Sequence, residues 1–121
     1  MPEEYASLVA ALKALTQGEA PNTVTLQMCE NEWDTRTDAD SWGTVTLEFE
    51  TDALHGDNLK QAEAYEGSVD LFSFKKDGDG WPALIRQALT DQCEGCWNLN
   101  SFQYERENRI FHWEWVFQVE G

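Results

Sequence analysis

Between Arg109 and Val119, large aromatic side chains fall at every second position: Phe111, Trp113, Trp115 and Phe117. A two-residue period places all four on one face of a strand, and no helix groups them that way. Phe117 closes a row whose opposite face, Ile110, His112, Glu114, Val116 and Gln118, is mixed in character. So much aromatic surface on one side of a strand demands a cover. The cover is a packed core or, for any area that a single helix leaves bare, another protein chain.

Two more segments alternate in the same way. Thr44 to Glu50 sets Val45, Leu47 and Phe49 against Thr44, Thr46, Glu48 and Glu50, and Thr23 to Glu30 sets Val24, Leu26 and Met28 against Thr23, Thr25 and Gln27. Ala64 to Phe74 reads as a further strand, with Tyr65, Val69 and Leu71 against Glu66, Ser68 and Asp70. Phe72 and Phe74 fall off that alternation, which points to a bulge or an edge contact there. Trp97 to Glu105 is expected to pair with the aromatic strand through a tight hairpin at Glu107 and Asn108.

Helical spacing appears twice. Tyr5, Leu8, Val9, Leu12 and Leu15 form one stripe over Pro2 to Thr16, with Glu3 and Glu4 in the first turn and Gly18 at the stop. Leu84, Ile85, Ala88 and Leu89 form the other, over Trp81 to about Gln92, with Pro82 suited to a first turn. Asn31 to Ser41, Thr51 to Gln61 and Lys75 to Gly80 read as loops or turns. The order is helix, three strands, helix, two strands. The expected architecture is one α+β domain over residues 1–121, a two-layer sandwich with two helices on a mostly antiparallel five-stranded sheet.

Charge and motifs narrow the function. Asp and Glu total 23 against 8 Lys and Arg, a formal charge of −15, which disfavours binding nucleic acid through basic phosphate contacts. No apolar run approaches the ~18–20 residues of a membrane span, and MPEEYASLV has no basic segment of the kind that opens a signal peptide. Three cysteines make an odd count. Cys93 and Cys96 have the CxxC spacing, but two thiolates are half of a structural zinc set, and Trp97-Asn98-Leu99 opens a strand where a redox pair would open a helix. They read as ordinary thiols at a turn. Lys75-Lys76-Asp77-Gly78-Asp79-Gly80 lacks the ligand spacing and the closing Glu of a calcium loop. Asp34, Asp38 and Asp40 read as a solvated loop. His112 and Glu114 are neighbours on one strand face, but no nucleophile stands near them in sequence, so they read as a hydrogen-bonding pair. No nucleophile elbow, phosphate loop or dinucleotide fingerprint is present. The expectation is a protein that is not an enzyme and uses no cofactor.

Two stretches carry a family resemblance. One is Ala62-Glu63-Ala64-Tyr65-Glu66-Gly67-Ser68-Val69-Asp70-Leu71-Phe72-Ser73, followed by a polar turn and the helix from Trp81. The other is Phe102-Gln103-Tyr104-Glu105, a turn, and Arg109 to Phe117 with its His112-Trp113-Glu114-Trp115 core. Together they resemble the small tail completion proteins (tail terminators, head–tail joining proteins) of long-tailed phages and prophages. The resemblance spans Ala62 to Val119, with a weaker match in the first helix. It implies a virion structural protein that forms a homo-oligomeric ring, commonly of six subunits, at the end of the tail tube, contacts other tail or connector proteins, and resides in the bacterial cytoplasm or the virion tail. Ring closure needs unlike patches on each subunit. The candidate interface residues are Trp33, Trp42, Phe72, Phe74, Trp113 and Trp115. Glu48, Glu50, Asp38 and Asp40 are the candidate acidic surface, which would keep DNA from adhering to a lumen.

Two other readings remain open. A small acidic α+β protein can act as an immunity or antitoxin-like inhibitor of a basic toxin through charge complementarity. A DNA mimic would need carboxylates spaced like phosphates along one face.

Overall fold

The computed structural model describes residues 3–31, 39–54 and 60–120, and side chains throughout these except 49–54, 60–63 and 120. The fold is α+β: two helices, a five-stranded mixed sheet and a separate two-stranded sheet. Helix α1 is Glu3–Lys13, then come β1 (Thr16–Gln17), β2 (Val24–Thr25), β3 (Gln27–Glu30), β4 (Ser41–Leu54) and β5 (Lys60–Ser73). A short turn of 3-10 helix at Gly78–Gly80 leads into α2 (Trp81–Gln92), and β6 (Trp97–Glu105) and β7 (Ile110–Glu120) close the chain.

The main sheet has the order β3-β4-β5-β7-β6. The β4–β5, β5–β7 and β6–β7 pairs are antiparallel, and β3 runs parallel to β4. Three details differ from the sequence reading. The expected strand Thr23 to Glu30 is divided at Leu26: β2 pairs with β1 in the small sheet, while β3 joins the main one. Leu26 itself is buried, and its N–H donates to the Leu15 carbonyl (3.0 Å), so the chain bends to drop one side chain into the core. β4 and β5 reach well into the expected loop of 51–61, because their mutual pairing carries the polar ends along. The bulge falls in β4 rather than at Phe72. Leu47 faces Gly67 and Phe49 faces Glu66, leaving Glu48 as the extra residue.

Register explains the core. Val45, Val69 and Trp115 lie in one row across β4, β5 and β7, Gly43, Leu71 and Trp113 in the next, and Leu47, Gly67 and Phe117 in a third. Tyr5, Leu8, Val9 and Leu12 of α1 and Trp81, Ile85, Ala88 and Leu89 of α2 pack into the same cluster. Each such burial contributes roughly 1.5–3 kcal/mol. Phe117 stacks on Tyr5 with centroids 6.2 Å apart. Its ring also explains Gly67, where a Cβ would lie 2.6 Å from Phe117 Cζ and against the Thr46 carbonyl. Gly80 and Pro82 start α2: Gly80 has a φ of 81° and Pro82 stands in the first turn, where its missing N–H leaves nothing unbonded. Among the described residues, no helix is long and apolar enough to cross a membrane.

Candidate functional site

Trp113 and Trp115 belong to the core and not to the surface. Trp115 is fully enclosed and Trp113 nearly so, because both face the helices from the middle strand rows. The aromatic area left uncovered by the helices lies one strand over. Leu99, Phe102 and Tyr104 of β6 are 48%, 47% and 48% exposed. They share the helix-side face with Trp115, Trp113 and Phe111, their register partners. Phe102 packs on Trp113 (4.8 Å between centroids) and Tyr104 on Phe111 (4.7 Å). The core thus continues into an apolar stripe on an edge strand. In sequence the three residues look like ordinary strand apolars, with no spacing that sets them apart. A skip across the Asn100 bulge puts Leu99 and Phe102 on one face.

Trp42, Phe72 and Phe74 do come together. Trp42 is buried, with Phe72 stacked 5.9 Å away and the exposed Phe74 tilted against it at 5.5 Å. Trp42 and Phe72 are register partners on the sheet face away from the helices. The Phe74 N–H donates to the Asp40 carbonyl (3.0 Å), which ties the start of β4 to the end of β5, and Asp40 itself is exposed. Trp33 and Asp38, like Asp34, lie outside the described residues. Glu50 is in β4, and its side chain lies outside them too.

The same sheet face carries a polar array. His112 Nε2 lies 2.7 Å from Asp70 Oδ1 and its Nδ1 lies 3.7 Å from Glu105 Oε1, while its ring stacks on Phe72 at 4.3 Å. Asp70 has no exposure and His112 has 16%. Burial pushes the Asp70 carboxyl above its ordinary range; the hydrogen bond and charge of His112 pull it down, and Glu114 and Glu48 push it up again. Burial also opposes the charge on His112, but its hydrogen bond to Asp70 and that residue's charge outweigh burial, with Glu105 and Glu114 adding, and its pKa is raised. His112 therefore pairs diagonally with Asp70, not with Glu114 along its own strand. Asn100 Nδ2 donates to Glu114 Oε1 (2.6 Å). Ser68 Oγ donates to Glu48 Oε1 (3.0 Å), so exposed Glu48 leans over β5.

The remaining candidates lie in the core and at turns. Cys93 is buried, and burial, then Glu4 and Cys96, push its thiol up to about 12, so at neutral pH it stays protonated and is no nucleophile. Cys96 is exposed, and Glu94 and Gly95 between them make a left-handed turn. In the Lys75–Gly80 turn, Asp77 Oδ1 accepts the Asp79 N–H (2.9 Å) and Asp79 Oδ2 accepts from Ser41 Oγ (3.1 Å), which spends both carboxylates on holding the turn. A cleft of about 450 Å³ beside it is lined by Gln17, Val24, Asp40, Ser41 and Asp79 among others. Among the described residues no three His, Cys, Asp or Glu side chains are grouped to hold a metal ion.

Comparison with protein-family models gives no match, and comparison with curated proteins gives none either.

Proposed function

We propose that this chain is a non-catalytic structural subunit of the phage tail completion kind, which assembles with copies of itself into a ring and meets other tail or connector proteins. In this reading the fold is a two-layer sandwich, with both helices on one face of a mostly antiparallel sheet and the other face left for contacts. One observation carries the proposal: the sheet ends in two unlike edges. β3 is one and β6 the other, and only β6 bears the exposed stripe of Leu99, Phe102 and Tyr104. A nine-residue edge with a single charge, Glu105, and no Lys or Pro has little that blocks pairing with another chain. Joining unlike edges is a head-to-tail contact, which closes a ring when the rotation per subunit divides a full turn. Phe74, exposed on the rim of the Trp42 cluster, offers a second unlike patch.

Light scattering after size exclusion, across protein concentration, tests this, with negative-stain microscopy of any large species. Rings of about six subunits that revert to monomer in Phe102→Glu are the expected result. A strict monomer at millimolar concentration, with no binding to tail tubes, would remove the reading. A second reading, an inhibitor of a basic toxin, is favoured by the acidic sheet face, since Lys60 is the one Lys or Arg in the five strands. A pull-down with a basic nuclease partner separates it from the first.

A further inference from the structure

We propose that the sheet face turned away from the helices holds a receiving site for an arginine side chain of a partner protein, built from Glu48, Glu114, Asp70, Thr44 and Thr46. Register assembles it. Thr44, Asp70 and Glu114 form one row across β4, β5 and β7, and Thr46 and Ser68 begin the next. Strands sit about 4.8 Å apart, so β4 and β7, one on either side of β5, stand about 10 Å from each other. Glu48 reaches in from the β4 side, held by Ser68, and Glu114 stands on the β7 side, held by Asn100. A cation entering over β5 has a carboxylate on either hand.

The floor of the site is unfinished. Asp70 Oδ2, Thr44 Oγ1 and Thr46 Oγ1 are buried atoms without a hydrogen-bond partner among the described residues. Asp70 has no exposure and Thr44 has 2%. A buried polar atom left without a partner is costly, so three of them side by side mark a place completed by something else. All three atoms accept hydrogen bonds, and so do the two flanking carboxylates. A group that only donates suits them all, and guanidinium offers five N–H donors and no acceptor. The acceptors are spread over two rows, which a planar fork spans and a point ammonium does not. The adjoining Val116, half-buried opposite Ser68, gives the arginine methylenes an apolar rest.

The chain does not supply this cation from the sheet itself. Lys60, at the first position of β5, is its only Lys or Arg. His112 already engages Asp70 through Oδ1. With a net charge of −15, attraction of a basic partner is the default over the whole molecule, and this site gives that attraction a register.

The test is a methyl and amide NMR titration of the full chain with N-acetyl-arginine-N-methylamide, with the lysine analogue and ionic-strength-matched sodium chloride as controls. The expected result is saturable shifts confined to Thr44, Thr46, Asp70, Glu114 and the His112 ring, stronger for arginine than for lysine. Glu48→Gln with Glu114→Gln should weaken the apparent affinity at least tenfold, and Thr46→Val, which changes no charge, should weaken it severalfold with the fold intact. Non-saturating shifts, shifts spread over all acidic surfaces, equal responses to arginine and lysine, or affinity unchanged in both variants would each overturn the proposal. Oligomer size, read on the same samples by light scattering, reports separately on ring assembly, so the two ideas can fail independently.

Discussion

Replacing His112 by Phe isolates the buried Asp70 charge. Phe keeps the stack on Phe72, now 4.3 Å between centroids, and removes both ring nitrogens. Asp70, with no exposure, then loses the partner at 2.7 Å that pulled its pKa down. Breaking a buried pair by deleting one partner costs about 3–5 kcal/mol, and since His112 is 16% exposed the lower end applies: about 3 kcal/mol while both partners are charged. The sign with pH follows from linkage. Asp70 already binds its proton more tightly folded than unfolded, and without His112 that difference grows, at about 1.4 kcal/mol per pKa unit. The variant's stability is therefore highest in acid and falls as pH rises from the unfolded Asp value of about 3.9 through the raised folded value. The wild type falls less over the Asp70 range and falls again as pH rises through the raised His112 pKa. Urea unfolding at half-unit steps from pH 4.5 to 9 should show a deficit that is smallest at the acid end, grows to about 3 kcal/mol where Asp70 is ionised beside a charged His112, and narrows again as pH rises through the raised His112 pKa. Asp70→Asn in the His112→Phe background should restore most of it, because no charge is then buried. A deficit that stays constant across this range, or one below about 1 kcal/mol at its maximum, would refute the assignment of a buried charged pair.

Gly67→Ala should destabilise by about 3 kcal/mol in urea unfolding, since its Cβ would meet the Thr46 carbonyl and come within 2.6 Å of Phe117 Cζ. Gly95→Ala, at a φ of 81° with nothing within 4 Å, should cost about 1 kcal/mol from backbone conformation alone, and equal losses at the two sites would be wrong for this packing. Cys96 should react with a disulfide reagent within seconds to minutes at pH 8, whereas buried Cys93, with its thiol at about 12, should react only on unfolding; equal rates would contradict the core position of Cys93. Trp115→Ala should cost about 4 kcal/mol while Phe102→Ser costs below about 1, measured by thermal or urea unfolding of the monomer, since one is enclosed and the other about half exposed.

Periodicity carried far in this chain. The apolar stripe of α1, the run after Pro82 in α2 and the alternation of Trp113, Trp115 and Phe117 name their own elements, because burial of a repeated face is a local property of the pattern. Partner choice is not local. Nothing in Gln27 to Glu30 says that it runs parallel to β4, since that depends on where the chain returns after Asn31. The candidate interface residues divide for the same reason. Trp113 and Phe102 are both aromatic strand residues, yet Trp113 on the interior strand β7 is covered and Phe102 on the edge strand β6 is about half exposed. Asp70 reads in sequence as one more solvent-facing acid of an alternating strand. It becomes a buried charge only because β4 and β7 close on either side of it and His112 arrives on the diagonal.

By itself, then, the sequence determined the two helices, the principal strands, the aromatic core face, the acidic balance and the lack of recognisable catalytic motifs, because these follow from residue type and short-range spacing. Only the tertiary structure decided strand order, the Glu48 and Asn100 bulges, the exposed β6 edge and the Asp70–His112 array. Those are set by which distant segments pair, and a shift of one residue in that pairing carries every side chain to the opposite face of the sheet.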